Sequence, residues 1–289
     1  MNGAYDDNDP RKPVPQPGPQ GAQFIAFDFE TTGLNPFLDR IVEVGAVKFD
    51  AAGTVLGVFE QLANPGRPIP PQAMAVHGIT DRDVVDAPPL DEVTAAFLEF
   101  IGPPTSELIA HNAMFDTRFL AHELAREGLA FPENPVFDSI HAAERLLRQK
   151  SYALGAVAQG LGLRPSGAHR ALADAMIVKE VVCEFIRRNG PERASSLFVF
   201  SLPAITIGTV GVTLLKLGRE YGDLAAALSE GRETVFTYLG GSATGYPRRV
   251  LPKCAYAYRG KGYLSALCLE KGAMRTFCLD LIKGSPAQS

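Results

Sequence analysis

Over the first 190 residues the hydrophobic pattern changes from strand-like to helical, and that change limits the fold. Phe24–Glu30 (FIAFDFE), Ile41–Asp50 (IVEVGAVKFD, alternating and β-branched) and Thr54–Asn64 (TVLGVFEQLAN) read as strands and are separated by the turn-forming segments Leu34-Asn35-Pro36 and Asp50-Ala51-Ala52-Gly53. Three strands with short links predict an antiparallel meander. From Asp91 the spacing is helical, interrupted by two short apolar runs at Leu108–His111 and Val136–Phe137. Helices are expected over Asp91–Ile101, from Asn112-Ala113 to Glu127, over Ser139–Arg148, Tyr152–Gly160 and His169–Arg188, the last stopped by Asn189-Gly190-Pro191. A meander followed by β-α units predicts a mixed sheet flanked by helices.

Two units are expected. Residues 1–20, rich in Pro, Asp, Asn and Gln, read as a flexible tail, and residues 21–189 as the α/β domain. Residues 190–223 read as a connector. Residues 224–289 open with a short helix near Gly222–Ser229. They continue with strands at Thr234–Leu239, Arg249–Ala257, Gly262–Leu269 and Met274–Ile282, the pattern of a small β-barrel. Charge divides the same way: from Ser201 onward eleven Lys and Arg face six Asp and Glu, although the whole chain carries −4. An acidic first part and a basic last part imply different tasks. The four cysteines form no CxxC pair, which argues against a zinc knuckle, and the chain opens without a basic-then-apolar leader, so a reducing cytoplasm is expected. Leu197–Leu215 is uncharged and long enough to cross a bilayer, but Pro203, Gly208 and Gly211 and the lack of flanking aromatics favour a buried connector over a membrane span.

Asp28 and Glu30 lie two apart on the first strand, so both carboxylates point to one face. Their neighbours are apolar, and two acids there are costly unless a cation sits between them. Asp116 stands in the first turns of the helix after His111-Asn112. His169 and Asp174, five apart in HRALADA, open the long helix and can reach one edge of a cleft. Oxygen ligands without thiolates suit Mg²⁺ or Mn²⁺, and four carboxylates can hold two such ions about 3.5–4 Å apart. A neutral imidazole, with an ordinary pKa of ~6.5, can take a proton from water at neutral pH.

FDFETTGLNP, VHGIT, HNAMFD and HRALADA occur in this order, and together they resemble the DEDDh 3′–5′ exonucleases over residues 21–189. The resemblance implies a ribonuclease-H-like fold, two divalent ions and release of 5′-mononucleotides from nucleic acid. It assigns Asp28, Glu30, Asp116 and Asp174 as metal ligands and His169 as general base. It places Thr31, Thr32, Gly33, His77, Asn112 and Phe115 against the substrate. Residues 224–283 resemble WYL domains, small SH3- or Sm-like barrels: Gly262-Tyr263-Leu264 stands where that family has Trp-Tyr-Leu, Arg248, Val250 and Pro252 match R-x-V-x-P, and Arg275 and Phe277 match R-x-F. The Trp is missing, and Leu281 replaces an Arg usual near the end. Tyr238, Arg248, Arg249, Tyr263 and Arg275 are the expected nucleic-acid or nucleotide contacts of this unit, because arginines beside aromatics suit phosphates and stacked bases. Single-stranded DNA is the expected substrate. An RNA-trimming enzyme and an inactive nucleic-acid-binding regulator are the alternatives, and a homo-oligomer is compatible with either.

Overall fold

A computed structural model describes residues 23–164, 169–190, 205–210, 212–241, 244–258 and 260–283. The expected tail at residues 1–20 lies outside the described residues. The first sheet contains β1 (Gln23–Thr31), β2 (Ile41–Asp50), β3 (Val55–Leu62), β4 (Ser106–Ala110), β5 (Pro135–Asp138) and β6 (Ile205–Thr206), ordered β3-β2-β1-β4-β5-β6. β1, β2 and β3 pair antiparallel as the meander requires, β4 and β5 join β1 in parallel, and β6 returns antiparallel on β5. This is the mixed, helix-flanked sheet expected from the change of period.

Strand alternation sorts the side chains between two cores. Phe24 and Ala26 pack with Val47, Phe49 and Ile109 under α7 (Ala171–Asn189), through Ala175, Val178 and Val182. Ile25, Phe27 and Phe29 pack on the other face with Phe97 of α3 (Leu90–Ile101) and Phe119, Leu120 and Leu124 of α4 (Ala113–Glu127). Two short helices, α1 (Pro71–His77) and α2 (Asp81–Val84), were not anticipated. α2 is held by a capping box between Thr80 and Asp83. α5 (Ser139–Leu146) and α6 (Leu154–Gly160) complete the α7 side, with Ala143, Val157 and Phe185 in a third cluster.

The second sheet follows the order β11-β10-β9-β8-β12, with β7 also on β9. Its members are β7 (Val212–Leu215), β8 (Thr234–Tyr238), β9 (Tyr246–Tyr258), β10 (Lys261–Cys268), β11 (Ala273–Cys278) and β12 (Ile282–Lys283). Among the described residues no pairing joins β11 to β12, so the ladder does not close. α8 (Asp223–Glu230) covers one face through Leu224 over Phe236, Val250, Leu264 and Phe277.

The segment read as a connector does more than connect. Its described part gives β6 to the first sheet and β7 to the second, so the chain is stitched into both. Among the described residues no helix is long and apolar enough to cross a membrane. Of Leu197–Leu215, residues 197–204 and 211 lie outside the described part. The back of α4 then meets the second sheet. Cys254 and Tyr256 join the core shared with Leu120 and Leu124, His122 lies edge-on to Tyr258 at 4.8 Å, and Phe37 lies edge-on to Tyr263 at 4.4 Å.

Candidate active site

Asp28 and Glu30 continue the face begun by Phe24 and Ala26, so they look toward α7 at the end of β1. Opposite them on β2 stand Gly45 and Glu43. A Cβ on Gly45 would lie 2.0 Å from the Leu172 amide nitrogen, so only glycine lets the first turn of α7 come down on the sheet here. Glu43, fully buried, fixes that turn: its carboxylate accepts from Arg170 Nε at 3.0 and 3.1 Å and from the Ala171 N–H at 2.9 Å. Arg170 is the residue before the helix, so the ion pair also serves as its N-terminal cap.

With α7 so placed, Asp174 reaches β1. One carboxylate oxygen each from Asp28, Glu30 and Asp174 lie within 4.8 Å of one another. Asp116 enters from the opposite helix, 2% exposed, and its Oδ1 accepts from the Phe29 N–H at 3.1 Å, between the two strand acids. β1 carries a bulge between Glu30 and Thr31, which turns the chain into the loop beyond the site. His169 stands exposed at the mouth with a positive φ of 68°, and its N–H donates to Asp174 Oδ2 at 3.1 Å. The five residues expected to carry the chemistry are brought to one cleft.

The electrostatics are those of crowded like charges. Burial, then the charges of Asp116, Asp174 and Glu30, hold the Asp28 carboxyl well above the usual carboxylate range. Burial, with Asp174 and Glu43 adding to it, pushes Glu30 up to about 7 against the opposing Arg170. Asp116 is also raised by burial, despite the Phe29 N–H, and Asp174 is raised by burial despite the His169 N–H. A divalent cation would replace protons on these oxygens and relieve the repulsion, so the donor set fits hard ions of the Mg²⁺ and Mn²⁺ type.

The loop after β1 is braced. Thr32 donates its N–H to the Arg40 carbonyl at 2.8 Å, and Thr31 Oγ1 donates to the Gly33 carbonyl at 2.7 Å. A Cβ on Gly33 would meet the Asp39 carboxylate at 2.4 Å. His77 is buried. Its Nδ1 accepts from the Ile79 N–H at 3.0 Å, while its Nε2 has no hydrogen-bond partner among the described residues. Burial lowers its pKa, and the neighbouring Thr31 backbone, Glu43 and Arg170 place it beside the cleft. Asn112 takes the left-handed conformation, φ 65°, at the N-cap of α4, and Phe115 packs on Phe119 at 4.9 Å in the first turn.

Two site residues escaped the sequence reading. One is Glu43. The other is Asp138, which accepts from the Asn112, Ala113 and Ile140 N–H groups, each at 3.0 Å, and so holds the turn that launches Asp116. Glu43 had a readable signal, an acid inside the apolar run IVEVGAV. Asp138 had only that of an ordinary helix cap.

The second sheet divides the residues expected to act together there. Tyr238 belongs to its core: the Oη accepts from the Cys278 N–H at 3.2 Å and the ring meets Phe277 edge-on at 5.1 Å. Tyr263 is spent on Phe37 at the seam between the units. Arg249 pairs with Glu233. Arg248 stands half-buried opposite Phe236 at the far end of β9 from Tyr256, the partner of Tyr263. Arg275 alone of the five is exposed on edge strand β11 without an ion pair among the described residues. Tyr238 is engaged on the face under α8 and Tyr263 on the face toward Phe37, so the two half-buried tyrosines do not form a single patch with the arginines.

A mixed sheet carrying two acids at the end of its first strand, answered by one acid from a helix on each face, is the layout of a ribonuclease-H-like nuclease. The chain belongs to the exonuclease family, whose model matches residues 25–182, and a WYL-domain model matches residues 220–285. The DNA polymerase III subunit epsilon of Treponema pallidum is 37% identical over 172 residues, which cover 58% of this chain and 79% of that protein. The PolC-type DNA polymerase III of Thermotoga petrophila is 38% identical over 168 residues, but the chain spans only 12% of its length. In fold, the chain is similar to E. coli exonuclease I in complex with a dA16 oligonucleotide (TM-score 0.55, 19% identity, 86% of this chain and 55% of that one). That coverage exceeds the first sheet and its helices, so the likeness of fold extends into the second sheet.

Proposed function

We propose that this protein hydrolyses the terminal phosphodiester at the 3′ end of a nucleic acid and releases 5′-mononucleotides, with single-stranded DNA as the favoured substrate. The observation that carries this reading is the convergence of Asp28, Glu30 and Asp174 oxygens within 4.8 Å, beside buried Asp116. These four carboxylates would hold two divalent ions, which supply charge to the attacking water and the leaving oxygen. His169, at the mouth and tied to Asp174 through its backbone, accepts the proton of the attacking water. Thr31, Thr32 and Gly33 present a braced backbone to the terminal nucleotide, Asn112 and Phe115 line the α4 side, and His77 stands buried beside the Thr31 backbone. The second unit, read as a WYL-like SH3/Sm-type barrel, adds basic surface for nucleic acid or a nucleotide.

End-labelled single-stranded DNA, duplex DNA and RNA, each incubated with Mg²⁺, Mn²⁺ or EDTA, test the reading. The expected result is a ladder shortening from the 3′ end, fastest on single-stranded DNA, absent in EDTA and absent for Asp28→Ala. Faster loss of RNA would move the substrate to RNA. No digestion of any polymer would leave an inactive nucleic-acid-binding protein.

A further inference from the structure

His111 follows directly on β4 and is half-buried, between the turn that launches α4 and the loop that joins α5 to α6. Both ring nitrogens are engaged: Nδ1 lies 2.8 Å from Ser139 Oγ, and Nε2 lies 2.7 Å from the Tyr152 carbonyl oxygen. A carbonyl only accepts, so Nε2 carries the ring proton and donates it. Nδ1 then accepts from the Ser139 hydroxyl. Burial lowers the His111 pKa, in keeping with a neutral ring held in this one tautomer.

Each bond reaches a different element. Ser139 is fully buried in the first turn of α5, next to Asp138, whose carboxylate holds the Asn112 and Ala113 N–H groups at 3.0 Å. His111 therefore adds a second tie between the α5 start and the turn that leads to Asp116. Tyr152 belongs to a loop that braces itself: its Oη donates to the Leu147 carbonyl at 3.0 Å, and Gln149 Nε2 donates to the Ser151 carbonyl at 2.7 Å. Tyr152 also packs on the cluster that contains Ile177 and Val181 of α7. These two stand at i+3 and i+7 from Asp174, on the same side of the helix. Asp174 itself is near enough for its charge to act on the His111 ring.

We propose that His111 is a positioning residue for the metal ions: it bonds the turn that carries Asp116 to the loop packed on α7, and so sets the spacing of Asp116 and Asp174 across the cleft. This rests on the four carboxylates being the metal site, as proposed above. Asp28 and Glu30 share one strand and keep their spacing whatever the helices do. Asp116 and Asp174 come from helices on opposite faces of the sheet, so their separation depends on what ties those helices together. Glu43 with Arg170 holds α7 to β2, and Asp138 holds the start of α4. His111 bonds toward both sides. The tie is neutral, so it adds no positive charge beside oxygens that must hold cations.

The full-length protein, stripped with EDTA and dialysed, is titrated with Mn²⁺ without nucleic acid, and the free ion is followed by electron paramagnetic resonance. His111→Ala is expected to weaken Mn²⁺ binding about tenfold, the low end of what loss of a group supporting metal ligands costs. His111→Gln can still donate to the Tyr152 carbonyl and His111→Asn can still accept from Ser139, so each should lose less than the alanine variant. With the single-stranded probe dT15, kcat should fall by a similar factor while KM stays within about twofold. A merely structural histidine would lower the melting temperature in EDTA and leave the Mn²⁺ affinity of the folded protein unchanged, and that result overturns the proposal. If His111→Ala does not fold, His111→Gln, His111→Asn and Ser139→Ala decide by the same titration. Failure of the wild type to bind Mn²⁺ would overturn the metal site and this proposal with it. Equal binding by the wild type and every variant would remove only the role of His111.

Discussion

The charges at the end of β1 and those on the second sheet differ in what they imply. In the first region four acids converge from β1, α4 and α7, sunk into the protein and crowded enough that burial and one another raise their pKa values. In the second, Arg232 is met by Asp223 and Glu230, and Arg249 by Glu233, all at the surface. Crowded, buried like charges lack a counter-charge and so imply a cation. Exposed, matched pairs are complete as they stand. Charge density is therefore a poor guide to a site, whereas uncompensated charge is a good one.

The sharpest way to break the contrast is to remove one crowded acid. Asp28→Ala or Asp174→Ala should lower cleavage by on the order of 10²–10³-fold or more, as loss of a group that stabilises transition-state charge does. Binding of dT15 in EDTA should stay within a few-fold. Cleavage kept near wild type would show that the cluster is ornamental.

The second effect is on stability against pH. The folded acids hold protons at pH values where the unfolded chain has released them. Metal-free protein should therefore lose stability as pH rises from about 4.5, the ordinary value for Glu30, through its folded value of about 7. The loss from Glu30 alone is ~2–3 kcal/mol, and Asp28 adds in the same direction. Melting curves in EDTA at pH 5 and pH 7.5 should differ by several degrees, and saturating Mn²⁺ should abolish most of the gap. A chelated protein more stable at the higher pH would refute the crowding.

Gly45→Ala should cost about 1–3 kcal/mol by forcing α7 off the sheet, and should reduce cleavage with it, since Asp174 and His169 ride on that turn. Urea denaturation and a cleavage assay read both. The smallest effect is expected on the second sheet: Arg249→Gln breaks an exposed pair and should change stability by at most ~1 kcal/mol. A larger loss there would erase the distinction between the regions.

How much was legible follows the same rule. Asp28 and Glu30 stood out because acids in an apolar strand are misplaced. Asp116, His169 and Asp174 were individually ordinary and gained meaning only from their joint order. The meander and the α-β alternation were readable because each segment is long enough to show its period. β6 and β7, of two and four residues, were not, since their strand identity comes from β5 and β9 far along the chain. α1 and α2, of seven and four residues, were equally too short to declare a period. Tyr238 and Tyr263 were misplaced because period two says that a residue faces one side of a sheet, not what covers that side.

α4 has a consequence for how this protein can be divided. Its first turn carries Asp116 to the cleft, and farther along it His122 sits fully buried among Phe37, Tyr256 and Tyr258, its pKa pushed down to about 3 by burial and by Arg126 and Arg118. A fragment ending at Asn189 would open that pocket to water, return the imidazole to ordinary basicity and leave Phe37 without its tyrosine neighbours. The nuclease half is thus not a detachable cassette. Change at Tyr256 or Tyr258 must be answered at His122 or Phe37, and the two halves can drift only in step.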